Sequence, residues 1–237
     1  MILQNIARAV INQDWSTLTV EFVVVILGLL IGLQIDDWNQ ARLNRLEAAY
    51  HLEFLYQEQS AASVEAAAAL ERYDQTLNNS FSASFLLEKD VWSSEERTQF
   101  ETAIFSTYEL WGPKHRPVSL RRMIDGGKLD LIESRDLQMA ILDFETAYLE
   151  AIEQTKTSYS YSLLHTPVIS TSLQFQKGKL ISTNRAILSN LELRAAVRNK
   201  AIWQRIQSDT LATLQEERLE LLEVLKGSLG KAGTKAA

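Results

Sequence analysis

Cysteine is absent from the 237-residue chain, and glycine and proline are scarce, at 9 and 3 residues. Without thiols there can be no disulfides, cysteine-ligated zinc, iron–sulfur clusters or thiol catalysis. With so few turn formers the chain cannot build a β-sandwich or small barrel, which need tight turns at short intervals. Positive charge is in deficit: 24 Lys and Arg stand against 30 Asp and Glu, a net charge of −6. A general nucleic-acid binder needs a basic surface, so nucleic acid is not an expected partner. Wholesale disorder is excluded as well, because 46% apolar and 23% charged residues is the balance of a folded protein.

Catalytic motifs are missing too. His51, His115 and His165 lie far apart in the chain, and no HExxH pair occurs. Gly126-Gly127-Lys128 is followed by Leu129, where a phosphate-binding loop needs Ser or Thr for magnesium. No GxSxG elbow or dinucleotide fingerprint is present. The sequence leads us to expect no cofactor, no metal and no enzyme.

What the chain does have is one long apolar run. Every residue from Phe22 to Leu33 is apolar or glycine, and Leu18 to Val20 extend the run across Glu21. Trp15 and Trp38 flank it, 23 residues apart. On a helix that spacing is roughly 34 Å, enough to place both rings at the edges of a bilayer core about 30 Å thick. A buried core helix is the competing explanation, since the uncharged run is short for a span. A cleaved signal peptide fits poorly, because Arg8 is the only basic residue ahead of the run and Gln34-Ile35-Asp36-Asp37-Trp38 offers no small-residue cleavage site.

Residues 1–14 place Ile2, Leu3, Ile6, Val10 and Ile11 at helical spacing. Both an interfacial amphipathic helix and a plain lead-in to the span fit that pattern. Within the span, Gly28 and Gly32 are one helical turn apart, the spacing at which a second helix can approach closely. Glu21 lies seven residues before Gly28 and can share the same side. These three are the candidate helix-packing residues, and Trp15 and Trp38 the candidate interface anchors.

Glycine and proline then divide the remainder into helix-length blocks. Residues 33–111, 128–166 and 179–226 contain neither. Within the first block, Leu43, Leu46, Tyr50, Phe54 and Leu55 form an apolar stripe, and Asn78-Asn79-Ser80 reads as a stop. Ser93 with Glu95 and Glu96 starts a helix over about 95–110, and Pro117 and Ser119 start a short one that Gly126-Gly127 ends. Ser134 caps a helix of about 135–165, Pro167 opens an irregular stretch, and Thr183 opens the last helix. The inner face of that helix is read as Leu193, Val197, Ile202, Ile206, Leu214, Leu221 and Leu225. The expected fold is all-α, an N-terminal transmembrane helix running into an antiparallel bundle. Its parts are an interfacial segment (1–14), a span (15–38), a helical extramembrane domain (39–226) and a flexible tail (227–237).

Lys114, Arg116, Arg121 and Arg122, with His115, make the one dense basic cluster. It can contact an anionic headgroup or acidic partner, or it can be a solvated loop.

The stretch EFVVVILGLLIGLQIDDWN, residues 21–39, resembles the anchor of a bacterial family of unknown function. Its members carry one N-terminal span ending in a pattern like GxLxALQxxxWNE, followed by a helical region. Glu21, Gly28, Leu33, Gln34, Trp38 and Asn39 are the matching positions. A second stretch, SLRRMIDGGKLDLI from Ser119 to Ile132, is similar to a Ser/Thr-x-x-Leu-x-x-x-Gly-Lys-Leu-x-x-Ile segment of the same family, with Leu120 here directly after Ser119. Relatives usually begin with a strongly basic segment, which this chain lacks. The resemblance implies a bacterial inner-membrane protein with its bulk in the periplasm, and brings no catalytic residue or ligand. The expected partners are the bilayer and other membrane subunits or a second copy. The rival expectation is a helical ligand-binding or sensory module, which would signal through a partner.

Overall fold

The computed structural model describes the backbone of residues 15–235 and the side chains of residues 22–230. The expected interfacial segment (1–14) and the side chains of Trp15 and Glu21 lie outside the described residues. Three long helices dominate: α1 (Trp15–Leu86), α4 (Arg135–Ser172) and α6 (Leu191–Lys235). Between them come α2 (Ser94–Ala103), a 3-10 turn (Ile104–Tyr108), α3 (Val118–Ile124), a second 3-10 turn (Leu129–Leu131) and α5 (Asn184–Leu188). A two-residue hairpin, β1 (Phe175–Gln176) paired with β2 (Lys179–Leu180), is the one sheet among the described residues. The protein is all-α, as its sequence predicts.

The chain divides into two compact units, Met1–Ala48 and Ala49–Ala237. The second is a three-helix bundle. Gln215 bonds back to Ser63, Arg218 to Gln59, and Arg205 lies over the Phe81 ring, so α6 runs antiparallel to α1. Lys200 meets Thr166 and Gln207 meets Thr155, so α6 is also antiparallel to α4.

Each long helix presents its buried face at seven-residue intervals, the signature of coiled-coil packing. On α6 one row is Leu193, Lys200, Gln207, Leu214 and Leu221, and the other Val197, Gln204, Leu211, Arg218 and Leu225, all buried. On α1 the row is Leu52, Gln59, Ala66, Tyr73 and Ser80, and Leu87, just past the helix end, continues it. These rows explain how the core is layered. One apolar cluster gathers Leu52 and Leu55 with Leu137, Ile141, Phe144, Leu214, Leu221 and Leu225. The other gathers Ala83 and Leu87 with Trp92, Phe100, Ile169, Leu193 and Val197. Between the two lies a stretch of buried polar and small residues.

Several helix termini follow the cap chemistry read from the sequence, and four do not. Ser93 and Glu96 make a reciprocal capping box, Ser134 caps α4, and Gly127 takes the left-handed φ of 64° after α3. Asn78-Asn79-Ser80, by contrast, does not stop α1. Ser80 points inward, donating to the Thr76 carbonyl at 3.0 Å, and Asn79 donates to Ser106 at 3.3 Å, so the polar side chains serve tertiary contacts. Nor does Pro167 end α4, which runs on to Ser172 because Ile169 is drawn into the core. Thr183 caps only the short α5, and Asn190 then accepts from the Leu193 N–H in the first turn of α6. Helix α6 passes Gly227 and Gly230 and reaches Lys235.

Candidate functional site

The apolar run lies on α1 in the first unit. Phe22, Val23, Val24 and Val25 are 64%, 46%, 61% and 61% exposed. Successive helical residues are about 100° apart, so four in a row sample every side of the helix. Exposure of large apolar side chains continues through Leu33, Ile35 and Trp38. No face of this segment is covered by the described protein, which a core helix would require. Leu43, Leu46 and Tyr50, expected on an apolar face, are exposed too. A Cβ added at Gly28 or at Gly32 would meet nothing within 4 Å. The groove between the two glycines is therefore open.

The basic cluster is divided by the fold. Arg116 pairs with Asp125 and with the buried Glu145, and the bond it donates to Asp125 is the main reason its guanidinium holds its proton more firmly. Arg122 lies over the Phe54 ring at 5.4 Å. Lys114 and Arg121 remain exposed. The cluster adjoins α3, whose N-terminus is capped from another helix. The Glu58 carboxylate on α1 accepts the N–H groups of Val118 (3.2 Å) and Ser119 (2.9 Å), and also the Ser119 hydroxyl. Pro117 has no side-chain oxygen to cap the helix, so the acid comes from elsewhere. Leu120, Met123 and Ile132 then enter the apolar cluster of Leu52, Leu137 and Leu221. The stretch from Ser119 to Ile132 thus plugs one end of the bundle.

The buried polar stretch of the bundle was not legible as a feature in the sequence. Its donors converge on the segment from Ser106 to Trp111, which is irregular after the 3-10 turn. Gln204 Nε2 donates to the carbonyls of Ser106 and Glu109, each at 2.7 Å. Gln207 Nε2 donates to the Trp111 carbonyl at 3.2 Å and to Thr155 Oγ1 at 2.8 Å. Thr76 Oγ1 donates to the Glu109 carboxylate at 2.9 Å. A non-helical strap packed against helices must find partners for its backbone, and these side chains supply them. Where the strap passes closest, residue 112 is glycine: a Cβ there would collide with Thr155 Oγ1 and Gln207 Nε2.

Lys200, 1% exposed, lies in the same stretch. Its Nζ donates to Thr166 Oγ1 at 2.8 Å and sits 4.4 Å from the centre of the Tyr108 ring. Burial pushes its ammonium down from 10.5 to about 8. Burial, aided by the Glu109 carboxylate, pushes the Tyr73 hydroxyl up. The Tyr73 hydroxyl and the side-chain oxygens of Gln204 and Gln207 are buried without a bonding partner. These groups hold a strap in place, and Lys200 is the buried cation among them. Among the described residues no group of three or more His, Asp or Glu side chains could hold a metal ion.

Fold and site together define an all-α protein with a helical bundle and, among the described residues, one helix long and apolar enough to cross a membrane. Searches of protein families, curated proteins and solved structures find no match to the chain.

Proposed function

We propose that this chain is a single-pass protein of the bacterial inner membrane, anchored by residues 15–38, with most of its mass in the periplasm. Its role is that of an accessory or scaffolding subunit, which holds partners through helix–helix contact and catalyses no reaction. The observation that carries the reading is the uncovered circumference of α1 from Phe22 to Leu33. Apolar surface exposed on every side is stable only in lipid or against other apolar helices. The open groove at Gly28 and Gly32 supports contact with a second helix. The periplasmic orientation rests on the family resemblance alone. The rival reading, a ligand-binding module signalling through a partner, is supported by one feature, a cleft lined by Trp92 and Arg194.

The test is purification of the tagged full chain from membranes in mild detergent. The chain should resist extraction by alkaline carbonate and should carry a stoichiometric partner or a second copy. Replacing Gly28 and Gly32 together by Leu should reduce that association roughly tenfold while insertion persists. Because a Cβ at either position meets nothing within 4 Å, and the flanking residues from Phe22 to Leu33 are exposed, a loss of partner would report external packing and not misfolding. Release of the wild-type chain by carbonate, or full association by the double variant, would overturn the reading.

A further inference from the structure

A cleft of about 470 Å³ opens at the end of the bundle where α1 gives way to the Lys89–Trp92 turn, facing the corner between α5 and α6. That volume suits a small organic molecule. Trp92 and Leu188 give it an apolar floor. The indole N–H of Trp92 donates to the Leu86 carbonyl at 2.7 Å, and its ring packs on Phe100 with centroids 4.7 Å apart, so the floor is held rigidly.

Arg194, Arg185, Lys89 and Asp90 line the remainder. Lys89 is answered by Glu96, which does not line the cleft. Arg194 donates from Nη2 to the Leu188 carbonyl at 3.0 Å, but its Nε–H is buried with no acceptor. Arg185 is exposed and is bonded through its side chain to no described residue. Two guanidinium groups therefore face one carboxylate, Asp90, and the cleft keeps a single positive charge in excess.

We propose that this cleft binds a small organic monoanion, a carboxylate carried on a flat apolar body. The carboxylate would accept from Arg194 and Arg185, whose forked N–H groups match the geometry of its two oxygens. The apolar body lies on Trp92 and Leu188. Each half of the ligand answers a distinct feature. Inorganic phosphate satisfies the guanidinium groups and leaves the floor wet. A neutral amide of the same shape covers the floor and leaves the excess charge unanswered.

The experiment is calorimetric titration of the full chain in detergent micelles with benzoate, benzamide and inorganic phosphate. Benzoate should bind saturably, and roughly tenfold more tightly than either of the other two. Arg194→Gln should weaken benzoate roughly tenfold. Because Arg194 also bonds the Leu188 carbonyl, Arg185→Gln is the second variant: it disturbs no internal bond and should weaken benzoate at unchanged melting temperature. The absence of saturable benzoate heat at about 10 mM would sink the proposal. So would equal binding of benzamide, equal binding of phosphate, or unchanged binding in the Arg185→Gln variant. Copurification of partners does not depend on Arg185, so failure here leaves the scaffolding role standing.

Discussion

Lys200 occupies a row on α6 whose other members include Leu193, Leu214 and Leu221, and it is buried like them. Its lowered value near 8, against the ordinary 10.5, has a direct consequence for stability. Below about 8 the ammonium is charged in both the folded and the unfolded chain, and the folded state bears the full cost of burying it. Between 8 and 10.5 the unfolded chain holds the proton and the folded chain does not, so this group makes stability rise with pH across that window. Lys200→Met should therefore stabilise the bundle at neutral pH by about 1 kcal/mol and flatten the alkaline rise. Urea denaturation at about pH 7 and about pH 10 measures both effects. Destabilisation at neutral pH would mean that the Thr166 bond and the Tyr108 face outweigh desolvation. In the sequence Lys200 belongs to no motif. Nothing local marks it as buried, because burial follows from its place in a seven-residue row whose neighbours at 204 and 207 are also polar.

For the helices themselves, legibility followed local chemistry. The capping box at Ser93, the cap at Ser134 and the left-handed Gly127 are decided within a few residues, and all were readable. The stops at Asn78-Asn79-Ser80 and Pro167 were not real, because tertiary contacts decide them: Asn79 reaches Ser106, and Ile169 draws α4 onward into the core. The inner face of α6 was half readable. Leu193, Val197, Leu214, Leu221 and Leu225 are buried, whereas Ile202 and Ile206 are partly exposed at 41% and 37%. Their inward places are taken by Lys200, Gln204 and Gln207, which answer a strap arriving from a distant part of the chain. That strap gives a sharp test. Gly112→Ala places a methyl group against Thr155 and Gln207. The strap must shift or the Gln207–Trp111 bond must break, at a cost of about 1–3 kcal/mol. A thermal melt reads the loss. A melting temperature unchanged from wild type would show that the strap is looser than its contacts indicate.

For the whole molecule, the proposed anchor would set the bundle on one side of a membrane. Arg8 on one side of the apolar run faces Arg42 and Arg45 on the other, a near balance under the positive-inside rule. The proposed periplasmic placement predicts that alkaline phosphatase fused after Ala237 is active in intact cells, while a fluorescent reporter that matures only in the cytoplasm, fused at the same point, stays dark. The opposite pair of results would place the bundle inside the cell.

The seven-residue rows of α1, α4 and α6 are by themselves ambiguous. Slide one helix along its neighbour by one repeat, and apolar residues meet apolar residues again. A bundle of uniform leucines could settle in several such alignments. Polar residues in the central stretch differ in size and in donor pattern, and they tolerate one alignment only. Arg218 meets Gln59, Gln215 meets Ser63, Lys200 meets Thr166, and Gln207 meets Thr155. One repeat of displacement would part all four pairs and leave the buried donors of Lys200, Gln207 and Arg218 without these acceptors. The middle of the bundle, which contributes least to hydrophobic burial, thus serves as its keyway: it sets the phase of three long rods that the greasy ends alone would let slip.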